Sequence, residues 1–164
     1  MSCKRVTKKD IYLFLKQNKH AVISTISADN TPESALMYYG VDKDLNFYVV
    51  AGDKSRKYPN MKRNPEVSLV ISDEYMQKTV QAQGRTEELK KVKRNSKAIK
   101  LLTEALSPTV WQTIAHLWDP VPPIMKMHNG EIAIFKITPA WLRCADFSAP
   151  AGESNDEYFK LLIP

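Results

Sequence analysis

The chain has 164 residues, 43% of them hydrophobic, with a formal net charge of +6 and a pI near 9.2. That is enough apolar material for the core of one domain, which excludes wholesale disorder, and no apolar run approaches the roughly 20 residues of a membrane helix. The excess of cations admits an anionic ligand or nucleic acid as partner.

The first ten residues, MSCKRVTKKD, are basic but hold no apolar stretch or cleavage site, so they do not read as a secretory signal and a soluble cytoplasmic protein is expected. Thr7 to Gln17 reads as a helix: Thr7 can cap it, Asp10 stands three residues on, and Ile11, Phe14 and Leu15 make an apolar stripe. His20 to Ser27 is strand-like, with β-branched residues in the majority. Asp29-Asn30 signals a turn, and Glu33 to Val41 reads as the next strand. Asp42 to Asn46 turns again and Phe47 to Val50 returns, which predicts an antiparallel meander. Lys57 to Arg63 is long enough for two helical turns, with Pro59 tolerated near the start and Asn64-Pro65 ending it. Val67 to Ser72 and Thr79 to Arg85 read as strands four and five. Thr86 to Leu106 carries a helical pattern of Leu89, Val92, Ile99, Leu102 and Leu106, and a second helical piece spans Thr109 to Trp118. Asp119 to Pro123 reads as irregular chain. Glu131 to Thr138 is strand six, Pro139 to Phe147 is a separate short strand, Ser148 to Asp156 is a loop, and the end EYFKLLIP is a short strand or helix. Strands in mostly antiparallel order, with helices inserted at about 86–118, predict a single α+β domain over 1–164: a small antiparallel β-barrel of about six strands with flanking helices.

The most informative stretch is FYVVAGDKSRKYPNMKRNPEVSL, Phe47 to Leu69. A strand opens into a polar turn, and Ser55, Arg56 and Lys57 stand where the turn hands over to a helix start. Free N–H groups and the positive end of the helix dipole favour an anion there, and arginine grips phosphate oxygens with two prongs. Cations at a helix N-terminus oppose the dipole unless an anion is present. A phosphorylated ligand, such as a cofactor, is therefore expected at this corner. Cys3 and Cys144 cannot scaffold a chain of this size and read as reduced thiols. His20, His116 and His128 show no metal-ligand spacing. The basic run from Arg85 to Lys100 reads as a solvated helix face rather than a nucleic-acid stripe. The tyrosines Tyr38, Tyr39 and Tyr48 read as barrel residues, and no catalytic acid, base or metal ligand is assigned.

The ordered combination of AVISTIS, the turn D-N-T-P, ESALMYY, the S-R-K corner with N-P and a β-run, and TVQAQG resembles the flavin-binding split-barrel proteins related to pyridoxamine-phosphate oxidase. That resemblance spans roughly Phe14 to Leu89. It implies a six-stranded antiparallel split β-barrel with flanking helices that pairs as a homodimer, with FMN in grooves at the dimer interface. Arg56 and Lys57 would bind the FMN phosphate with support from Ser55. Leu36, Met37 and Tyr38 would lie along the isoalloxazine ring through backbone contacts, Val49 and Val50 would flank it, and Thr79 would stand where the oxidases place a glutamine near the ring. After Pro139 the chain offers Trp141 and Arg143 but no R-L-x-D-R, so the resemblance is to relatives of the vitamin-B6 oxidase rather than to that enzyme. The implied function is an FMN-binding oxidoreductase acting with a small organic substrate and a visiting NAD(P)H, since no G-x-G-x-x-G fingerprint is present. The alternatives are a non-catalytic flavin-binding stress or redox protein, a nucleic-acid-binding barrel and a haem-binding relative.

Overall fold

The computed structural model describes residues 6–90, 92–93, 96–105, 131–147 and the strand Phe159–Ile163. Helix α1 (Lys8–Gln17) starts at the expected capping box: Thr7 Oγ1 accepts from the Asp10 N–H at 3.2 Å, and Asp10 Oδ2 accepts from the Thr7 N–H at 2.8 Å. Strands β1 (His20–Ile26), β2 (Pro32–Tyr38), β3 (Gly40–Val41) and β4 (Phe47–Gly52) follow. Then come α2 (Lys57–Arg63), β5 (Glu66–Ser72), β6 (Lys78–Glu88), α3 (Lys97–Ala105), β7 (Ile132–Asp146) and β8 (Phe159–Ile163).

All strand pairs are antiparallel, in the hydrogen-bonded order β2-β1-β5-β6-β7-β4-β3, with β8 added on β7. β2 and β3 stand at opposite ends of that order, yet Tyr39 alone separates them in the chain. The expected strand from Glu33 to Val41 thus bends at Tyr39: its first part pairs with β1 and its last two residues pair with β4. This bend closes the sheet on itself. With β2 and β3 counted as one bent strand, six strands form the barrel, as the sequence predicts, and β8 is a further strand beside it. The split is visible on β7, whose one edge carries β4 along Ile132 to Ile137 and β8 along Leu142 to Ala145.

Two expectations fail, and the same strand pair explains both. Thr86 to Leu106 is not one helix. Thr86, Glu87 and Glu88 continue β6, paired with Ile137, Lys136 and Phe135, and the helix is confined to Lys97–Ala105. A waiting partner strand outweighs a local helical preference. Strand six does not stop before Pro139 either, because β7 runs unbroken to Asp146. A β-bulge between Gln83 and Gly84 takes up the proline, and Gly84 is required there: a Cβ on it would stand 2.3 Å from the Thr138 carbonyl oxygen. The expected helix from Thr109 to Trp118, the irregular 119–123 segment and the 148–156 loop lie outside the described residues, as do Cys3, His116 and His128.

Alternation along the strands sorts the side chains. Ala21, Ile23, Phe47, Val49, Leu69, Ile71, Val80, Phe135 and Ile137 fill the barrel, and α1 adds Ile11 and Leu15 to the same core. Each large aliphatic side chain so buried contributes about 1.5–3 kcal/mol before entropy is counted. The Tyr39 hydroxyl donates to the Leu15 carbonyl at 2.8 Å, which fastens the barrel corner to α1, and burial pushes its pKa up. α3 covers the outer side of β4 and β7 with Ala98 and Leu102 against Tyr48 and Ile134. It comes close enough that a Cβ on Gly40 would meet the Leu101 backbone at 2.8 Å.

Candidate anion-binding corner

β4 ends at Gly52, and the chain reverses through a tight turn in which the Ser55 N–H and hydroxyl both donate to the Gly52 carbonyl, at 3.0 and 2.7 Å. Arg56 then precedes α2. This helix has seven residues, and Arg56 makes no side-chain cap. Two turns of helix carry a small dipole, so the cations rather than the helix end give this corner its character.

The corner opens on a cleft of about 130 Å³ lined by Ile23, Thr25, Glu33, Ala35, Arg56 and Lys57. Arg56 is mostly in solvent, with 83% of its side chain exposed, and its Nη1 donates to Glu33 Oε1 at 3.0 Å. Lys57 is half-buried and has no ion-pair partner among the described residues. Burial pulls its pKa below the ordinary lysine value. A partly desolvated ammonium without a carboxylate, beside an exposed guanidinium, is a donor set for an anion.

The sequence reading missed Glu33, Thr25 and Asn60, which complete this corner. Glu33 Oε2 accepts from Asn60 Nδ2 at 2.9 Å, and the same amide nitrogen lies 3.1 Å from Thr25 Oγ1. Asn60 and Thr25 are buried polar residues. One signal was available. Glu33 pairs across the strands with Thr25, on the face of β2 that also turns Met37 inward, and an inward carboxylate demands a partner.

The remaining expected ligands divide by strand face. Leu36 points outward and is 70% exposed, whereas Met37 and Val49 are buried in the barrel core. Tyr38 also faces outward, with its ring 4.3 Å from that of His20. Val50 packs beside the cluster under α3. Thr79 pairs with Ser72 and Ala145, away from the Ser55-Arg56-Lys57 turn. The corner therefore brings together Ser55, Arg56 and Lys57, and leaves Leu36 and Tyr38 on the outer sheet face. On that face Leu36, Val22 and Val70 lie side by side in register, and all three are exposed.

A second polar cluster also escaped the sequence reading. The Asp42 side chain is 2% exposed and receives the Asp44 and Asn46 N–H groups at 2.9 Å each, the Tyr48 hydroxyl at 3.1 Å and Lys97 Nζ at 2.7 Å. Burial alone would raise the Asp42 pKa. The Lys97 ammonium, Asn46 and Tyr48 outweigh it and hold the carboxyl below its usual range. This cluster joins α3 to the β3–β4 turn.

Barrel closure through one bent strand, with β4 leading into a cationic turn, defines a split-barrel protein with a cationic corner. Residues 7–143 match the family described as Pyridoxamine 5'-phosphate oxidase. The chain belongs to that family, as a relative of the vitamin-B6 oxidase rather than the oxidase itself. No curated protein matches the chain. Among solved structures, it is similar to the conserved hypothetical protein Rv2991 of Mycobacterium tuberculosis, with a TM-score of 0.63 and 20% identity over 94% of this chain and 96% of that one. It is similar to a FAD-binding protein of Mesorhizobium loti, with a TM-score of 0.59 and 16% identity over 85% and 92% of the two chains. It is also similar to a heme binding protein of Mycobacterium smegmatis, with a TM-score of 0.64 and 12% identity over 94% and 60%. At these identities the likeness is one of fold. Arg143 donates to Gln81 Oε1 at 2.7 Å and lies over the Trp141 ring.

Proposed function

We propose that this chain is a cytoplasmic, homodimeric FMN-dependent oxidoreductase that moves electrons between a donor such as NAD(P)H and a small organic acceptor. The observation that carries this reading is Lys57, a half-buried cation with no carboxylate partner among the described residues, next to Arg56 at the mouth of a cleft. Phosphate would supply the missing counter-charge: Lys57 as a point charge, Arg56 through its planar fork, with the Ser55 turn holding both in place. Bound FMN would supply the electron-transfer chemistry, and the chain would supply binding, orientation and exclusion of water.

The size of the cleft supports the dimer. At about 130 Å³ it holds a phosphate and part of a ribityl chain, whereas drug-sized ligands occupy roughly 300–1,000 Å³. The flavin ring would therefore lie outside it. A second copy of the chain would provide the further wall that such a ring needs.

Fluorescence titration with FMN, with sedimentation to count subunits and an NAD(P)H oxidation assay, tests the proposal. The parent chain is expected to quench FMN fluorescence at a stoichiometry of one per subunit. Arg56→Ala should weaken binding about tenfold or more, since a charge-assisted hydrogen bond is worth about 1.5–3 kcal/mol. A folded protein that ignores FMN defeats the flavin assignment. Binding of FMN without NAD(P)H turnover would leave a flavin-binding sensor in place of an enzyme.

A further inference from the structure

We propose that Lys57 is an acylation site: a small acyl phosphate docks its phosphate on Arg56 and passes its acyl group to the Lys57 amine. The site is the corner of the flavin reading above, and on that reading FMN and the acyl phosphate exclude one another. Lysine acylation needs a neutral amine and an electrophile held beside it. Most of the lysines that could compete are tied up. Lys8, Lys16, Lys62, Lys78 and Lys97 pair with carboxylates. The hydrogen bonds that Lys16, Lys62 and Lys97 donate to Glu104, Glu88 and Asp42 hold their pKa values above the ordinary lysine value, which keeps those amines protonated and unreactive. Lys57 has no carboxylate within ion-pair distance among the described residues. Burial acts on it in the opposite direction and leaves a larger share of it as free amine.

The cleft supplies the second requirement. Its lining of about 130 Å³ joins Lys57 to Arg56, whereas the exposed Lys9 and Lys54 do not line it. Arg56 spends Nη1 on Glu33 Oε1 at 3.0 Å and keeps the other N–H groups of its fork for a phosphate. Glu33 does not quench the amine, because its other oxygen is taken by Asn60 Nδ2 at 2.9 Å. In the reaction the lone pair of the neutral Lys57 Nζ attacks the carbonyl carbon of the acyl phosphate. A C–N bond forms, the C–O bond to the phosphate breaks, and phosphate leaves with the bonding pair and with the proton lost from nitrogen. Arg56 balances the charge that gathers on the leaving group. The product is a neutral amide, so acylation removes a charge that the FMN phosphate would use, and bound FMN would shield the amine.

Peptide mass spectrometry of the flavin-free chain, its fold checked by circular dichroism, tests this with two probes: acetyl phosphate, and acetic anhydride, which carries no phosphate. With acetyl phosphate Lys57 should react about tenfold faster than Lys9 and Lys54, the worth of one charge-assisted contact to the docked phosphate. Arg56→Ala should abolish that lead and leave the anhydride reaction at Lys57 close to that of the parent. Added FMN should slow the acetyl phosphate reaction at Lys57 alone. If Lys57 reacts no faster than Lys9 and Lys54 in the folded parent, the inference falls, and the FMN titration still judges the flavin reading separately. If the lead survives Arg56→Ala, the phosphate does not dock there and the inference falls as well. If Lys57 leads, the lead needs Arg56 and saturating FMN leaves it untouched, the acylation site stands and the flavin reading loses this corner.

Discussion

Lys57 is the residue at which the interests of the fold and of the ligand oppose, and Lys57→Met separates them. Methionine keeps the apolar stem and removes the charge. In the folded chain burial disfavours the ammonium, so the folded pKa lies below the unfolded one. A lysine shifted this way destabilises the fold while it is charged in both states, that is, below its folded pKa. The penalty fades as pH rises from the folded value toward the unfolded value near 10.4. Lys57→Met should therefore melt higher than the parent at pH 7. The side chain is only partly buried, so solvent screening holds the gain to at most about 1 kcal/mol, or about 2–4 °C for a chain of this size. The gap should close above pH 10. FMN binding should move the other way, weakening about tenfold to a hundredfold with the loss of one charge-assisted contact of about 1.5–3 kcal/mol. Thermal melts at the two pH values and fluorescence titration on the same preparations measure both. A variant that melts lower than the parent, or one that melts higher yet binds FMN as tightly, refutes the reasoning.

Asp42→Ala strips the acceptor from two backbone N–H groups, the Tyr48 hydroxyl and Lys97, and should lower stability by about 3 kcal/mol in urea titration. Because the Asp42 pKa is depressed in the fold, its contribution is complete above the unfolded carboxylate value and is lost as pH falls through the lower folded value. Asp42→Asn should accordingly flatten the acid limb of the stability profile, and an unchanged acid limb would show that the cluster is not ionised as described. Gly84→Ala forces a Cβ to within 2.3 Å of the Thr138 carbonyl oxygen at the bulge and should cost about 2–3 kcal/mol by the same titration. An alanine variant as stable as the parent would mean that the β6–β7 crossing yields more readily than its close approach implies.

What could be read in advance follows how far apart in the chain the deciding residues lie. The Thr7–Asp10 box was legible because both partners sit within one turn. So was the Ser55-Arg56-Lys57 corner, since three contiguous residues carry it. The end of β6 was misread because Glu87 and Glu88 look helical to their neighbours, and only Lys136 and Phe135, nearly fifty residues on, make them a strand. Pro139 looked like a strand terminus because the compensating glycine is on another strand.

The same distance rule bears on function. The cations of the corner are adjacent in sequence, but the groups that tune them come from three elements: Thr25 from β1, Glu33 from β2 and Asn60 from α2. Barrel closure at Tyr39 sets β2 on the far side of β1 from β5, and α2 lies over the ends of both strands, where Asn60 bridges them. A motif search finds the two cations and overlooks the carboxylate beside them. What tertiary structure adds is placement: Glu33, held by the buried Asn60 amide, holds the exposed Arg56 side chain at the mouth of the cleft, and no stretch of neighbouring residues encodes that arrangement.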